Sequence, residues 1–343
     1  MENISSLKHI IGESAKVSVI VHTHPDGDAL GSGAAMTAYL RERVGKDVRM
    51  IIPDSAPGTV DFIIEGLDVL DASKDPAAAQ ERISSSDLIL ILDLNALHRT
   101  EQLAGLIADS PATKVLIDHH LNPETAPFEL LFSEPERSST CELLYFILKE
   151  LEGGSIGTIP LRSLEAMMAG MTTDTNNFAN SVIPSTLQMA SELLDAGVDR
   201  DAIIDKIYHS DREQRIFAFA DMVSNHLTIL PSGISYMIMT EEMQSAYGLL
   251  EGETESLVNI PLNIERVRMS IFIREEGGLF RVSIRSKRGI SAQQMARDFF
   301  HGGGHELAAG GKIFWPDDIP SKDAAAAYLE EIAARFLRNE TTN

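Results

Sequence analysis

VSVIVHTHPDGDALGS, residues 17–32, is the stretch from which the fold can be read. Val17, Val19, Ile20 and Val21 form an apolar, mostly β-branched run, the pattern of a buried strand, and the run ends in His22, Asp26 and Asp28. Pro25 and Gly27 break regular structure between these three side chains. Residues 29–40 (ALGSGAAMTAYL) are small or helix-forming and restart the chain as a helix. The order is strand, polar loop, helix. In an open α/β sheet, ligands bind in the crevice outside the carboxyl ends of the strands, so this loop lies where chemistry is expected.

The same layout recurs downstream. DVRMII at 47–52 predicts a second strand, and 54–79 reads as irregular. LILIL at 88–92 is a continuous apolar run, as a strand buried on both faces requires, and it delivers Asp93. A helix is expected near 100–108, followed by a strand at 114–117 that delivers Asp118, His119 and His120. A further helix is expected over 136–152, capped at Ser138 or Ser139 and stopped by Gly153 and Gly154. Residues 160–171 have helical spacing and lead into Asp174. Residues 185–221 are helical again, divided at Gly197. From about Leu227 the pattern changes to short strand-like runs at 227–229, 234–239, 267–273 and 279–284, separated by glycine-containing turns, and an amphipathic helix closes the chain at 322–338. The expected class is therefore α/β: a parallel-sheet catalytic domain with helices on both faces over 1–200, a helical connector over 201–226, and a smaller α/β domain with a mixed or antiparallel sheet over 227–343.

A chain of 343 residues accommodates two such domains. No apolar run approaches the length of a membrane span, and residues 1–16 lack the pattern of a signal peptide, so a cytoplasmic protein with no membrane partner is expected. The single cysteine, Cys141, excludes an intrachain disulfide and a cysteine-rich zinc site; it reads as a small buried residue at the start of a helix. The formal net charge of -22 argues against broad binding to nucleic acid and against long duplex DNA, while leaving room for a small anionic substrate. One segment runs the other way: residues 265–312 hold nine Lys or Arg against five Asp or Glu.

The strand-end residues are His22, Asp26, Asp28, Asp93, Asp118, His119 and His120, and Asp174 joins them from a helix-loop boundary. Hard oxygen donors mixed with imidazole, without thiolate, suit Mn²⁺ or a similar octahedral ion. They suffice for two ions sharing a carboxylate, and two ions roughly 3.5 to 4 Å apart would activate a water and neutralise charge on a phosphoryl transition state. A strand-end Asp taken alone is more often a helix cap, and a lone His-His pair is usually structural. Four segments ending in Asp or His at one sheet edge are not explained by caps, because clustered carboxylates repel unless a cation joins them. In the basic segment, Gly302, Gly303 and Gly304 lie between His301 and His305, downstream of Arg285, Ser286, Lys287 and Arg288. Glycine runs are usually flexible turns, but this one with its basic neighbours reads as an anion cradle in which backbone N–H groups approach a ligand. Arg266, Arg268, Arg274 and Arg281 read as a solvated sheet face.

HTHPDGDALGS at 22–32, Asp93, the triplet Asp118-His119-His120 and TTDTNNF at 172–178 together resemble the DHH phosphoesterase superfamily, and RSKRGI at 285–290 with GGGHELAAGG at 302–311 resemble its associated substrate domain. Within that superfamily the compact chain is similar to the bacterial nanoRNase and pAp-phosphatase branch. The resemblance implies two divalent ions, Mn²⁺ with Mg²⁺ or Co²⁺ as alternatives. His22, Asp26 and Asp93 would hold one, and Asp28, Asp93, His119 and Asp174 the other, with Asp93 bridging. His120 would contact the scissile phosphate or fix the site, Asp118 would orient its neighbours, and Arg285, Ser286, Gly302, Gly303, Gly304 and His305 would bind substrate. The implied activity is hydrolysis of oligonucleotides of two to five residues to nucleoside 5′-monophosphates, with pAp and linear dinucleotides as further substrates. A RecJ-type exonuclease, a pyrophosphatase or exopolyphosphatase relative, and a non-catalytic nucleotide sensor are the alternatives. Homodimers are common in such families, although no stripe in the sequence marks an interface.

Overall fold

The computed structural model describes residues 3–250 and 252–340, with side chains through 338. The chain divides between Ser210 and Asp211 into two compact units.

The first unit opens with α1 (Ile4–Glu13), β1 (Lys16–Ile20), α2 (Gly27–Ala38), β2 (Asp47–Ile52), β3 (Val69–Asp71) and α3 (Pro76–Ser84). It continues with β4 (Leu88–Leu92), α4 (Ala104–Asp109), β5 (Thr113–Asp118), β6 (Leu130–Ser133), α5 (Thr140–Leu151), α6 (Leu161–Asp174), α7 (Pro184–Asp195) and α8 (Arg200–Tyr208). Its six strands are all parallel in the order β3-β2-β1-β4-β5-β6, with Val17 facing Val48 on one side and Leu88 on the other. The two-residue period of a strand divides the aliphatic runs between two cores. Val17, Val19, Leu88, Leu90, Val115 and Ile117 pack with α1, α2, α5 and α6; Ile20, Ile89, Ile91 and Leu116 pack with α3 and α4. Helices therefore cover both faces. The strand order reverses between β1 and β4, so the crevice at the C-terminal ends of these two strands is the topological switch point.

Glycine sets the spacing of α2 and α6. A Cβ at Gly31 would lie 2.7 Å from the Ala166 carbonyl oxygen, and one at Gly170 would lie 2.4 Å from Cys141 Sγ and 2.9 Å from the Gly27 carbonyl oxygen. These contacts leave no room for a side chain, and the helices touch along a bare seam.

Several elements differ from the sequence expectation. The segment that reads as irregular contains β3 and the start of α3, and β6 is an addition to the expected strands; both strands are short and sit at the two edges of the sheet, where one face is partly exposed and no continuous apolar run is demanded. The helix expected near 100–108 is a 3₁₀ segment over Leu97–Leu103, kinked internally at Glu101 (φ 43°), that runs on into α4. Residues 185–221 hold three helices rather than two. The expected connector is itself divided: α8 belongs to the first unit and α9 (Glu213–Asn225) to the second.

The second unit continues with β7 (Thr228–Ile229), β8 (Ile234–Met239), α10 (Glu241–Tyr247), β9 (Met269–Glu276), β10 (Leu279–Ser286), α11 (Ala292–Phe299), β11 (Gly303–Gly304), β12 (Ala308–Phe314) and α12 (Ala325–Glu340). The sheet order is β11-β12-β10-β9-β8-β7, antiparallel except where β8 runs parallel to β9, so the sheet is mixed. One face packs on α11 and α12 through Ile271, Phe280, Ile284, Met295, Leu329 and Phe336. Among the described residues no helix is long and apolar enough to cross a membrane.

Candidate active site

β1 ends one residue before Val21 and His22, and the chain then turns through Pro25 into α2. The Asp26 carboxylate caps that helix, accepting from the N–H groups of Asp28 at 3.0 Å and Ala29 at 3.1 Å. Asp28, in the first turn, is buried. β4 delivers Asp93 in a left-handed conformation, φ 62°, which Asp tolerates better than most residues. β5 ends on Asp118, and His119 and His120 come directly after it. Asp174 is the last residue of α6, where the sequence suggests a polar segment beyond the helix.

These side chains form interlocking groups. His22, Asp26 and Asp93 bring one donor atom each within 4.8 Å of one another, and so do Asp28, His119 and Asp174. His22 Nε2 lies 3.5 Å from Asp93 Oδ2, while His119 Nε2 lies 3.6 Å from Asp174 Oδ2 and 3.9 Å from Asp93 Oδ1. Asp93 thus offers one oxygen to each group. Asp118, fully buried, accepts from the His120 backbone N–H at 3.1 Å and from the ring at Nδ1, 2.7 Å away. That bond puts the ring proton on Nδ1 and leaves Nε2 to accept from Arg99 Nη1 at 3.2 Å.

The electrostatics are those of a site short of positive charge. Burial raises the Asp28 carboxyl well above the usual carboxylate range, and the Asp93 and Asp174 carboxylates add to it. Burial also raises Asp174 to about 7, helped by Asp26 and Asp93 and opposed by His119. Burial alone would lower His119, but Asp174, Asp28 and Asp93 carry it up to about 9. Burial opposes ionisation of Asp93 as well, yet the hydrogen bond from His22 and the nearby rings of His120 and His119 hold it far below its ordinary value. Protons on Asp174 and His119 supply the charge that the cluster lacks. A divalent cation fits this donor set, because it would take the place of those protons among hard oxygen and imidazole ligands.

Three participants escape the sequence reading. Arg99 lies six positions beyond Asp93, in the loop leaving a strand end that topology already marks, and its guanidinium reaches His120. Thr140 and Cys141 begin α5; their N–H groups donate to Asp28 Oδ2 at 2.6 Å and Oδ1 at 2.9 Å, and the Thr140 hydroxyl donates to Asp93 Oδ1 at 2.9 Å. The signal for them is Ser139-Thr-Cys-Glu142, the spacing of a capping box, which fixes a helix N-terminus.

The remaining predicted residues lie in the second unit. Arg285 faces Ser270 across β9 and β10, and Ser286 faces Met269, so the two side chains point to opposite faces of the sheet. Ser286 is turned to the side of the Ile284 core, and its buried hydroxyl has no hydrogen-bond partner among the described residues. Gly303 and Gly304 are a short strand rather than a loop. A Cβ at Gly302 would lie 1.9 Å from the Gly310 carbonyl oxygen and one at Gly304 2.6 Å from that of Ala308, whereas Gly303 faces open space. Close approach to β12 accounts for two of the three glycines. His305 is exposed, and its N–H donates to the Ala308 carbonyl at 2.7 Å.

Comparison with known proteins bears on this arrangement. The N-terminal domain of the DHH family matches residues 16–171, and the DHHA1 domain matches residues 236–334. A Bacteroides fragilis crystal structure described as an exopolyphosphatase-related protein superposes with a TM-score of 0.90 at 31% identity, covering 97% of this chain and 96% of that one. The chain belongs to the DHH family. The bifunctional oligoribonuclease and PAP phosphatase NrnA of Bacillus subtilis is 26% identical over 92% of this DHH protein and 94% of its own length. NrnA of Thermus thermophilus is 25% identical over 87% and 84%. As a DHH phosphoesterase the chain is a hydrolase acting on phosphoester bonds, dependent on divalent metal.

Proposed function

We propose that this DHH protein hydrolyses short oligonucleotides of two to five residues to nucleoside 5′-monophosphates in the presence of Mn²⁺, with pAp and linear dinucleotides as further substrates. The observation that carries the reading is Asp93, whose two carboxylate oxygens face two different ligand groups. On this reading His22, Asp26 and Asp93 hold one ion, and Asp28, Asp93, His119 and Asp174 hold the second. When bound, the pair of ions supplies an activated water and offsets charge on the phosphoryl oxygens. The protein's part is orientation. The α5 N-terminus holds Asp28 and Asp93, Asp118 fixes the His120 ring, and the Arg99 guanidinium, which donates to His120 Nε2, supplies positive charge for an anionic oxygen. Arg285, Gly303 and His305 of the DHHA1 domain are read as contacts for the rest of the substrate; the buried position of Ser286 favours a supporting role instead.

Substrate length has two supports. NrnA relatives named for oligoribonuclease and PAP phosphatase activity match almost the full chain, and the net charge of -22 repels long polyanions more than short ones. The exopolyphosphatase-related neighbour favours a second reading, hydrolysis of polyphosphate. The test is a Mn²⁺ assay with a 5′-labelled RNA dinucleotide, a 24-mer, pAp, pyrophosphate and polyphosphate, each run beside Asp93→Asn. Fast dinucleotide cleavage that Asp93→Asn abolishes supports the proposal; preference for polyphosphate or the 24-mer overturns the substrate assignment.

A further inference from the structure

Glu142 is a carboxylate with no solvent exposure, and its hydrogen-bond partners Arg137, Ser138, Ser185 and Thr186 are not candidate metal ligands. Its surroundings nonetheless converge on it. It accepts from the Ser138 N–H at 3.0 Å, the Ser138 hydroxyl at 2.6 Å, Arg137 Nη1 at 3.2 Å, the Ser185 hydroxyl at 2.5 Å and the Thr186 hydroxyl at 2.9 Å. Burial pushes this carboxyl up, but the bonds from Ser138, Ser185 and Thr186 outweigh it and the carboxyl lies below its ordinary range. A buried charge is costly, and an apolar side chain often packs as well. In an ordinary capping box the Glu returns to the N–H of the cap residue. Here the cap is Ser139, which accepts from the Glu142 N–H at 3.0 Å, and the carboxylate takes the N–H of Ser138 instead, one residue further into the loop.

That loop matters because of Arg137. Its backbone carbonyl lies 3.2 Å from His119 Nδ1. A carbonyl can only accept, so His119 carries its proton on Nδ1 and presents Nε2 to Asp174 and Asp93. Arg137 is held in turn by Glu134 at 2.7 Å and by Glu142, with its guanidinium 4.5 Å from the centre of the Phe146 ring. The same first turn of α5 grips Asp28 through two N–H groups.

We infer that Glu142 is a positioning residue for the metal centre, fixing the 137–139 loop so that the Arg137 carbonyl sets His119 and the start of α5 sets Asp28. The inference rests on the metal-binding reading under Proposed function. Its consequence is that metal affinity depends on a residue outside the donor set.

The test is Mn²⁺ titration calorimetry on the full chain at fixed pH, with thermal melts of the same samples and kcat and KM on the dinucleotide. Glu142→Gln is expected to weaken Mn²⁺ binding about 10- to 100-fold, the range for groups that orient metal ligands, with KM unchanged and kcat recovering at saturating Mn²⁺. Tyr145→Phe on the same helix removes a bond to Glu192 and serves as the structural control; its melting temperature falls while Mn²⁺ affinity holds. A folded Glu142→Gln protein that binds Mn²⁺ within twofold of the wild type overturns the inference, however far its melting temperature drops. If Glu142→Gln fails to fold, Ser185→Ala and Thr186→Val each remove one donor, and unchanged affinity in both overturns it equally. Wild type and Asp93→Asn binding Mn²⁺ alike overturns the metal reading itself, an outcome distinct from the failure of Glu142 alone.

Discussion

Metal binding should release a proton, and the amount can be worked from the structure. His119 is raised to about 9 and Asp174 to about 7. At pH 7.5 the imidazole is then almost fully protonated and the carboxyl about a quarter so, whereas both must be unprotonated to ligate a cation; these two groups release about one proton, and Asp28, also raised by burial, adds to that count. By linkage the apparent affinity for Mn²⁺ should rise at least about tenfold per pH unit between pH 7 and 8.5. Titration calorimetry in buffers of different ionisation enthalpy measures the proton count directly. The apo protein should move the opposite way. His119, raised from an ordinary 6.5, contributes stability that is complete below about pH 6.5 and is lost as pH rises through 9; Asp174, raised from 3.8, loses stability as pH rises toward 7. The apo melting temperature should therefore fall between pH 7 and 9 while the stabilisation added by Mn²⁺ grows. Binding without proton release, or affinity that falls as pH rises, would refute the view that protons stand in for the missing cation charge.

Asp93→Asn keeps a side chain suited to φ 62° and should lower kcat at least about 1,000-fold with a melting temperature near that of the wild type, checked by single-turnover assay and circular dichroism. Arg99→Ala takes the donor from His120 Nε2 and should reduce kcat about 10- to 100-fold while Mn²⁺ affinity, measured by calorimetry, stays the same. Gly302→Ala should destabilise the protein by about 1 to 3 kcal/mol in urea melts because its Cβ meets the Gly310 carbonyl, whereas Gly303→Ala, which meets nothing within 4 Å, should leave the midpoint unchanged.

The sequence pattern locates the candidate ligands because each sits just past a run that physics makes unmistakable. LILIL reads as a strand covered on both faces, which places Asp93 directly after it at the sheet edge; the residues after Val21 and Ile117 follow the same pattern. The edge strands β3 and β6 lack that signature, since half-covered strands need no continuous apolar run. Asp174 is legible from its polar neighbours, although it belongs to the last turn of α6. Arg99 and Glu142 escape a sequence reading for different reasons. Arg99 occupies a 3₁₀ turn with no periodicity, and Glu142 reads locally as half of a helix cap, while its actual partners Ser185 and Thr186 lie more than forty residues away. The glycine run at 302–304 suggests backbone freedom toward a ligand, and pairing with β12 is the task that two of its members serve.

The bare seam between α2 and α6 carries Asp28 near one end of the first helix and Asp174 at the end of the second. How far apart those two carboxylates stand is thus a dimension set by hydrogen atoms at Gly31 and Gly170, with Cys141 wedged beneath as a shim. A single methyl group added at either glycine would pry the helices open and widen the gap between donors that themselves remain unchanged. On the proposed ligand set such a chain would keep every donor and still hold the cation more weakly.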